Sequence, residues 1–374
     1  MQGKVTGQSV PFNKPHYVTT NHLEMRVAFA SCSHTPGQIQ QPVWGIIQHQ
    51  LPDLLLLLGD NVYIGPEGYD PPANNTEEKL EKQRDIRITK YKALSGECHF
   101  AQLIANVDML AIWDNHDLGL PGPAYPANIP KYGADASEDF KKMARRLFDK
   151  YLKSRSIIPD SKDVYCSKII NGIKFIMLDV RSYQENPDKQ PPHPPAHITL
   201  LGKDQEEWLI HELLPDDAEI KVICSGIAYS EGNANWLAYP AWNKIFMEKV
   251  ARTKKLLFLG GNIHTNEFKT HPDIDSRNGK YFYEIISSGV GRNIKTDKKE
   301  NMNKISEKQA DAGDEVEENR KGPAANNYGL IDFTPTEVII SLYGQRHRNL
   351  HYAIIDRKNW TLTEYRKMVD VIKK

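Results

Sequence analysis

Four short polar runs in this 374-residue chain carry side chains that bind metal ions: Ser31-Cys32-Ser33-His34, Gly59-Asp60-Asn61-Val62-Tyr63, Trp113-Asp114-Asn115-His116-Asp117 and Gly260-Gly261-Asn262-Ile263-His264. Together they offer thiolate, carboxylate, amide, phenol and imidazole donors, a set suited to hard and borderline cations. Taken singly, each run has an ordinary explanation. Gly-Asp after a strand is a common turn, a lone cysteine is a small buried hydrophobe, Asn-His-Asp folds into a hydrogen-bonded turn, and Asn262 with His264 makes a satisfied surface pair. Their weight comes from position, because each run directly follows a short apolar segment, and α/β sheets place ligand crevices at such strand ends.

The segments that must position these runs are legible in the pattern. Val27–Ala30, Leu54–Leu58, Met109–Trp113, Lys174–Leu178, Lys221–Cys224 and Leu256–Leu259 are continuous apolar runs, as expected of strands covered on both faces. Helical patterns lie between them near Pro42–Leu51, Glu77–Leu94, Ala136–Leu152, Lys203–Leu213 and Pro240–Val250. This alternation predicts an α/β fold with a partly parallel sheet. Later, Tyr281–Ile286, Tyr328–Phe333, Glu337–Leu342 and Tyr352–Ile355 are separated by turns, which predicts antiparallel additions.

The predicted organisation is an N-terminal extension over 1–25 and one catalytic domain over 26–374, with a charged insertion at about 295–325. Within it, Lys295–Lys321 has fifteen charged residues among twenty-seven, so it reads as a solvated loop. Leu118–Tyr132, rich in proline, is expected to form a pocket wall.

The 48 basic residues balance 48 acidic ones, so no global field draws the chain to nucleic acid or an anionic membrane surface. Four widely spaced cysteines suggest free thiols. The longest apolar run is too short to span a bilayer and the first twenty residues lack an export-type apolar core, so a soluble cytoplasmic protein is expected, or a periplasmic or secreted one if an export signal has been removed.

In order, the four runs resemble the motif series of the calcineurin-like metallophosphoesterases: D-x-H, G-D-x-x, G-N-H-D and G-H-x-H, each after a strand. Ala30-Ser31-Cys32 and Asp60-x-x-Tyr63 resemble the alkaline phosphatase D branch, as do Leu178-Asp179-Val180-Arg181, Leu201–Leu209 and Trp236-x-x-Tyr239-Pro240-x-Trp242. The resemblance covers roughly Arg26 to Gly344. It implies a β-sandwich of two mixed sheets flanked by helices in four αββα layers, and hydrolysis of a small phosphoester at a dinuclear metal centre.

That likeness implies metal ligands at Cys32, His34, Asp60, Tyr63, Asn115, Asn262 and His264. Asp60 is the natural bridge, Cys32 and Tyr63 suit ferric iron, and Asn115, Asn262 and His264 would hold a divalent Ca2+, Mn2+, Mg2+ or Zn2+. His116 is the expected general acid, with Asp117 fixing its tautomer. Arg181 either grips phosphate or forms a structural salt bridge, and Glu267 is a candidate supporting residue. Two departures stand out: Ser225-Gly226 follows Cys224 where the family carries a histidine, and Asn262 replaces another. A nuclease and a catalytically silent phosphate- or partner-binding relative are the alternatives. No strong nucleic-acid signal supports the first, and the sequence leaves the oligomeric state open.

Overall fold

The computed structural model describes residues 24–33, 41–65, 68–69, 77–121, 131–188, 198–232, 235–250, 253, 255–272, 281–291, 326–344 and 348–367. The extension through residue 23, His34, most of the proline-rich wall and the charged 295–325 segment lie outside these residues.

Two mixed sheets form the centre. The first contains β1 (Met25–Ala30), β2 (Leu54–Leu58), β3 (Asp108–Ile112), β10 (Tyr328–Phe333), β11 (Glu337–Gly344), β12 (Arg348–Asp356) and β13 (Thr361–Lys367), in the order β13-β12-β11-β10-β1-β2-β3. The second contains β4 (Cys166–Ile170), β5 (Ile173–Met177), β6 (Ile220–Cys224), β7 (Leu256–Gly260), β8 (Asn266–Pro272) and β9 (Tyr281–Ser287), in the order β4-β5-β6-β7-β9-β8. Strands β1, β2 and β3 run parallel, as do β5, β6, β7 and β9, while β10 to β13, β4 and β8 pair antiparallel. One expectation is corrected here. Tyr281–Ser287 pairs antiparallel on one side only, with β8, and parallel to β7 on the other, because the chain first runs back along the edge as β8.

Burial explains the continuous apolar strands. In the second sheet, Phe175, Met177, Val222, Cys224, Leu257, Leu259, Tyr283 and Ile285 join the core shared with the first sheet. The alternate positions Ile176, Ile223, Phe258 and Phe282 pack instead with Leu209 and Leu213 of α6 (Lys203–Leu213) and Trp242 and Phe246 of α7 (Pro240–Val250). Side chains that alternate between two apolar layers erase the polar half of a strand pattern. The other helical layer is α1 (Pro42–His49), α2 (Glu77–Gly96), α3 (Cys98–Asn106) and α5 (Glu138–Tyr151), whose Trp44, Tyr91, Phe100 and Phe148 enter the larger core. Trp236, Tyr239 and Trp242 pack there as well, in the helix-side core of the second sheet.

The four cysteines are free thiols. Among the described residues no helix is long and apolar enough to cross a membrane.

Candidate metal centre

The C-terminal ends of the parallel strands of both sheets meet at one place. At this seam Gly261 sits so close to its neighbours that a Cβ would lie 2.9 Å from Leu58 O of β2, Gly226 O after β6 and Ser31 Oγ after β1, so only glycine fits. Around it, Cys32, Asp60, Asn262 and His264 all adopt left-handed backbone, with φ of 57°, 50°, 69° and 53°. Each such non-glycine residue costs about 1–3 kcal/mol and persists only where surroundings impose it. Four of the seven in the described chain are at expected ligands, which makes this a strained site rather than a set of relaxed turns.

Neighbouring backbone supplies the compensation. Cys32 N–H donates to Gly59 O (3.2 Å) and Ser33 N–H to Asp60 O (2.9 Å), tying the first two loops. Gly289 and Val290 N–H groups both reach Ser31 O at 3.1 Å, and Gly291 N–H reaches Cys32 O at 3.1 Å.

The side chains converge. Ligand atoms of Cys32, Asp60 and His264 all lie within 4.8 Å of one another, and the three residues are buried. Cys32 Sγ is 3.6 Å from Asp60 Oδ2, and the Tyr63 hydroxyl lies 3.3 Å from that oxygen and 3.1 Å from His264 Nε2. Burial pushes the Cys32 thiol well above its ordinary range, and the neighbouring Asp60 pushes it further.

The third loop begins α4 (Asn115–Leu118), which carries two more expected residues. His116 N–H donates to Asp60 Oδ1 (3.1 Å), and its ring stacks on Tyr63 with centroids 4.1 Å apart. Asn115 Nδ2 donates to Leu120 O (3.3 Å), while its Oδ1 is buried without a hydrogen-bond partner among the described residues. A buried acceptor left over one residue before His116, whose N–H binds Asp60, fits a cation. Asn262 is half-buried on the turn after β7, two residues before His264.

Asp117 gathers four donors from the neighbouring loops. Its Oδ2 accepts from Asn61 N (3.2 Å), Asn61 Nδ2 (3.2 Å) and Asp114 N (3.0 Å), and its Oδ1 from Val62 N (3.1 Å). The carboxylate therefore clamps the Asp60 loop to the start of α4.

Arg181 takes the salt-bridge arrangement of its two readings. Its Nε and Nη2 both contact the Asp114 carboxylate, the latter at 3.1 Å, and Nη1 donates to Gln184 Oε1 at 3.1 Å. All of this is buried. Asp114 titrates near 6, raised by burial and held down by Arg181. Its carboxylate also fills the space beside Gly226, where a Cβ would lie 2.9 Å from Asp114 Oδ1. Of the two residues that follow β6 in place of the expected histidine, Gly226 thus has no room for a side chain beside Asp114. Glu267 pairs with Lys367 of β13 at 3.9 Å.

Sequence reasoning missed Ser288. Its hydroxyl lies 3.1 Å from Cys32 Sγ and accepts from His264 N at 3.0 Å, joining two candidate ligands. The signal that would have found it is the one used for the others, since it directly follows a buried strand, β9.

Two apposed mixed sheets whose parallel strands end in thiol, carboxylate, imidazole and amide donors define a metallophosphoesterase-type protein. Comparison with known proteins makes the assignment narrower. A family profile for PhoD-like phosphatases matches residues 27–342, and the chain belongs to that family. Alkaline phosphatase D of Bacillus subtilis (strain 168) is 24% identical over 316 residues, covering 74% of this chain and 53% of that protein, so the chain spans about half the length of this curated relative. The solved structure of PhoD superposes with a TM-score of 0.63 at 18% identity, over 92% of this chain and 71% of the other. A dimetal phosphatase from Danio rerio superposes with a TM-score of 0.51 at 12% identity, over 90% and 99%. These two likenesses show the shared fold.

Proposed function

We propose that this chain hydrolyses small phosphomonoesters or phosphodiesters at a dinuclear metal centre. The observation that carries the reading is the convergence of Cys32, Asp60 and His264 ligand atoms within 4.8 Å, with the Tyr63 hydroxyl beside two of them. Cys32, Tyr63 and Asp60 would hold one ion, joined by His264, which was expected at the second ion but converges with Cys32 and Asp60, and the negative charge of thiolate and phenolate suits ferric iron there. Asp60 would bridge to a second ion held by Asn115 and Asn262, whose amide oxygens suit Ca2+, Mn2+, Mg2+ or Zn2+. His34 remains a candidate ligand from the sequence. Two cations in such a site polarise phosphoryl oxygens and lower the pKa of water toward about 7.

The chain's own residues supply the rest. His116 donates a proton to the leaving oxygen, and the Tyr63 ring stacked against it fixes its plane. Its backbone N–H on Asp60 keeps the acid and the bridging carboxylate in one register. Asp117 prevents the two loops from drifting apart, and Arg181 neutralises Asp114 at the base of the Asn115 turn. With Arg181 so engaged, holding the phosphate would fall to the ions that Cys32, Asp60, Tyr63 and His264 would carry.

Elemental analysis of the purified protein, with turnover of a nitrophenyl phosphomonoester and a nitrophenyl phosphodiester, tests the reading. Bound iron with a visible charge-transfer band that disappears in Cys32→Ala and Tyr63→Phe is the expected result. No metal and no turnover after reconstitution overturns it in favour of a silent ligand-binding relative.

A further inference from the structure

We propose that Gln83 and Arg87 on α2 form a clamp that fixes the loop carrying Asp60 and Tyr63 against the turn carrying Asn115 and His116, making Arg87 a positioning residue. The catalytic part of this inference rests on the phosphoesterase reading above, whereas the clamp itself does not.

Arg87 is fully buried and Gln83 nearly so. A guanidinium is retained in such a place only where its donors are met. Here both terminal nitrogens are met by main-chain carbonyls from separate segments. Nη1 donates to Gly68 O (3.0 Å) and to Gln83 O (3.2 Å), and Nη2 donates to Leu118 O (2.7 Å). One helical turn earlier, Gln83 Nε2 donates to Tyr69 O at 2.6 Å. Two side chains spaced four apart on one helix face thus hold the consecutive carbonyls of Gly68 and Tyr69, which follow the Tyr63 loop.

The other jaw is the end of α4. Leu118 is its last residue, and its carbonyl is among those a helix leaves unsatisfied at its negative end, where a cation is favoured. Gly119 follows with φ of 85°, and a Cβ there would collide with the Arg87 guanidinium, so the approach is too close for any other residue. The Phe140 ring of α5, 4.6 Å beneath the guanidinium, fixes its height.

Asp117 already joins the same two segments at the site end. Arg87 joins them again at their far end. One tie leaves a hinge, and two ties fix the angle between the segments. Lysine cannot replace the fork, because a single ammonium lacks the planar spread needed to reach Gly68 and Leu118 together.

The test is Arg87→Lys, read by amide hydrogen exchange over 61–65 and 115–120, by bound metal, and by kcat and KM on a nitrophenyl phosphoester. Exchange is expected to rise together in both segments by about tenfold or more. At temperatures where the variant is fully folded, kcat falls about 10- to 100-fold with little change in KM, and added guanidinium ion partly restores kcat in Arg87→Ala. The remote core variant Ile355→Ala, matched for loss of thermal stability, is expected to change neither segment. Exchange that rises in one segment only, or equally in Ile355→Ala, overturns the clamp. If Arg87→Lys does not fold, Gln83→Leu decides, since unaltered exchange over 61–65 there also overturns it. A wild-type protein without turnover removes the phosphoesterase reading and leaves the exchange result to judge the clamp.

Discussion

The two ends of the sandwich use the same side-chain types to opposite purposes. At the end away from the site, Arg357 grips Glu219 through Nε (3.1 Å) and Nη2 (2.7 Å) and also binds Glu24 and Thr334 O, tying the edge of one sheet to the start of β6 in the other. Arg26 holds Asp332 in a similar fork at 2.6 and 2.8 Å. These carboxylates are matched, and Arg357 draws Glu219 below its ordinary pKa. At the site end burial raises Asp114 to about 6 and pushes Asp117 well above the usual range, and Cys32 and Asp60 stand with left-handed backbone. One end is arranged for cohesion, and the other stores strain that a bound ligand can relieve.

The sharpest way to break this contrast is Asp60→Asn. Turnover is expected to fall at least about 1000-fold, because the bridging charge is lost, while the metal-free protein unfolds at the same temperature or higher. A scan showing clear destabilisation would place Asp60 with the cohesive groups instead.

A second measurement asks whether burial alone, away from ligand chemistry, shifts a pKa. His351, buried on β12 with Nδ1 3.0 Å from the Tyr365 hydroxyl, is lowered from 6.5 to about 4 by burial, with Lys367 adding to the shift. The unfolded chain therefore takes up the proton first as pH falls. Stability is intact above about 6.5 and declines on the way to about 4, by an amount on the order of 3 kcal/mol. Denaturant midpoints across that window should fall in the wild type and fall less in His351→Asn.

At the cohesive end, Arg357→Ala should lower stability by about 2 kcal/mol, since it leaves Thr334 O and partly exposed carboxylates without their donor. Its kcat per folded molecule should stay at the wild-type value in a direct assay. The smallest expected effect is Ser288→Ala, which removes the hydroxyl beside Cys32 Sγ. Metal affinity is expected to weaken about tenfold, with a shifted charge-transfer band in the visible spectrum.

The buried half of this fold was legible because strands packed on both faces must be apolar throughout, and Leu54–Leu58 has no alternative reading. The overlooked strands are edges. Thr361–Lys367 is exposed at all but one position, and Asn266–Pro272 reads as polar chain, so each exists through pairing rather than through a pattern of its own. Helix α3 escaped because it begins just two residues after α2 ends, with Glu97 capping Phe100 N (2.7 Å) as the only break. In the site, residue types and strand ends indicated Cys32, Asp60, Tyr63 and His264. What a linear reading could not supply was pairing across the seam, which assigns Asp117 to the Asp60 loop and Arg181 to Asp114.

Strand β1 lies between β2 and β10, so its ladder closes only when Tyr328–Phe333 has been made, about 300 residues after it. At a synthesis rate of about 5–20 residues per second, that interval is about 15–60 s. For that time β1 has one unpaired edge, and for most of it Cys32 lacks the Ser288 hydroxyl that later lies against it. Until the seam closes over it, the nascent thiol is therefore open to oxidants.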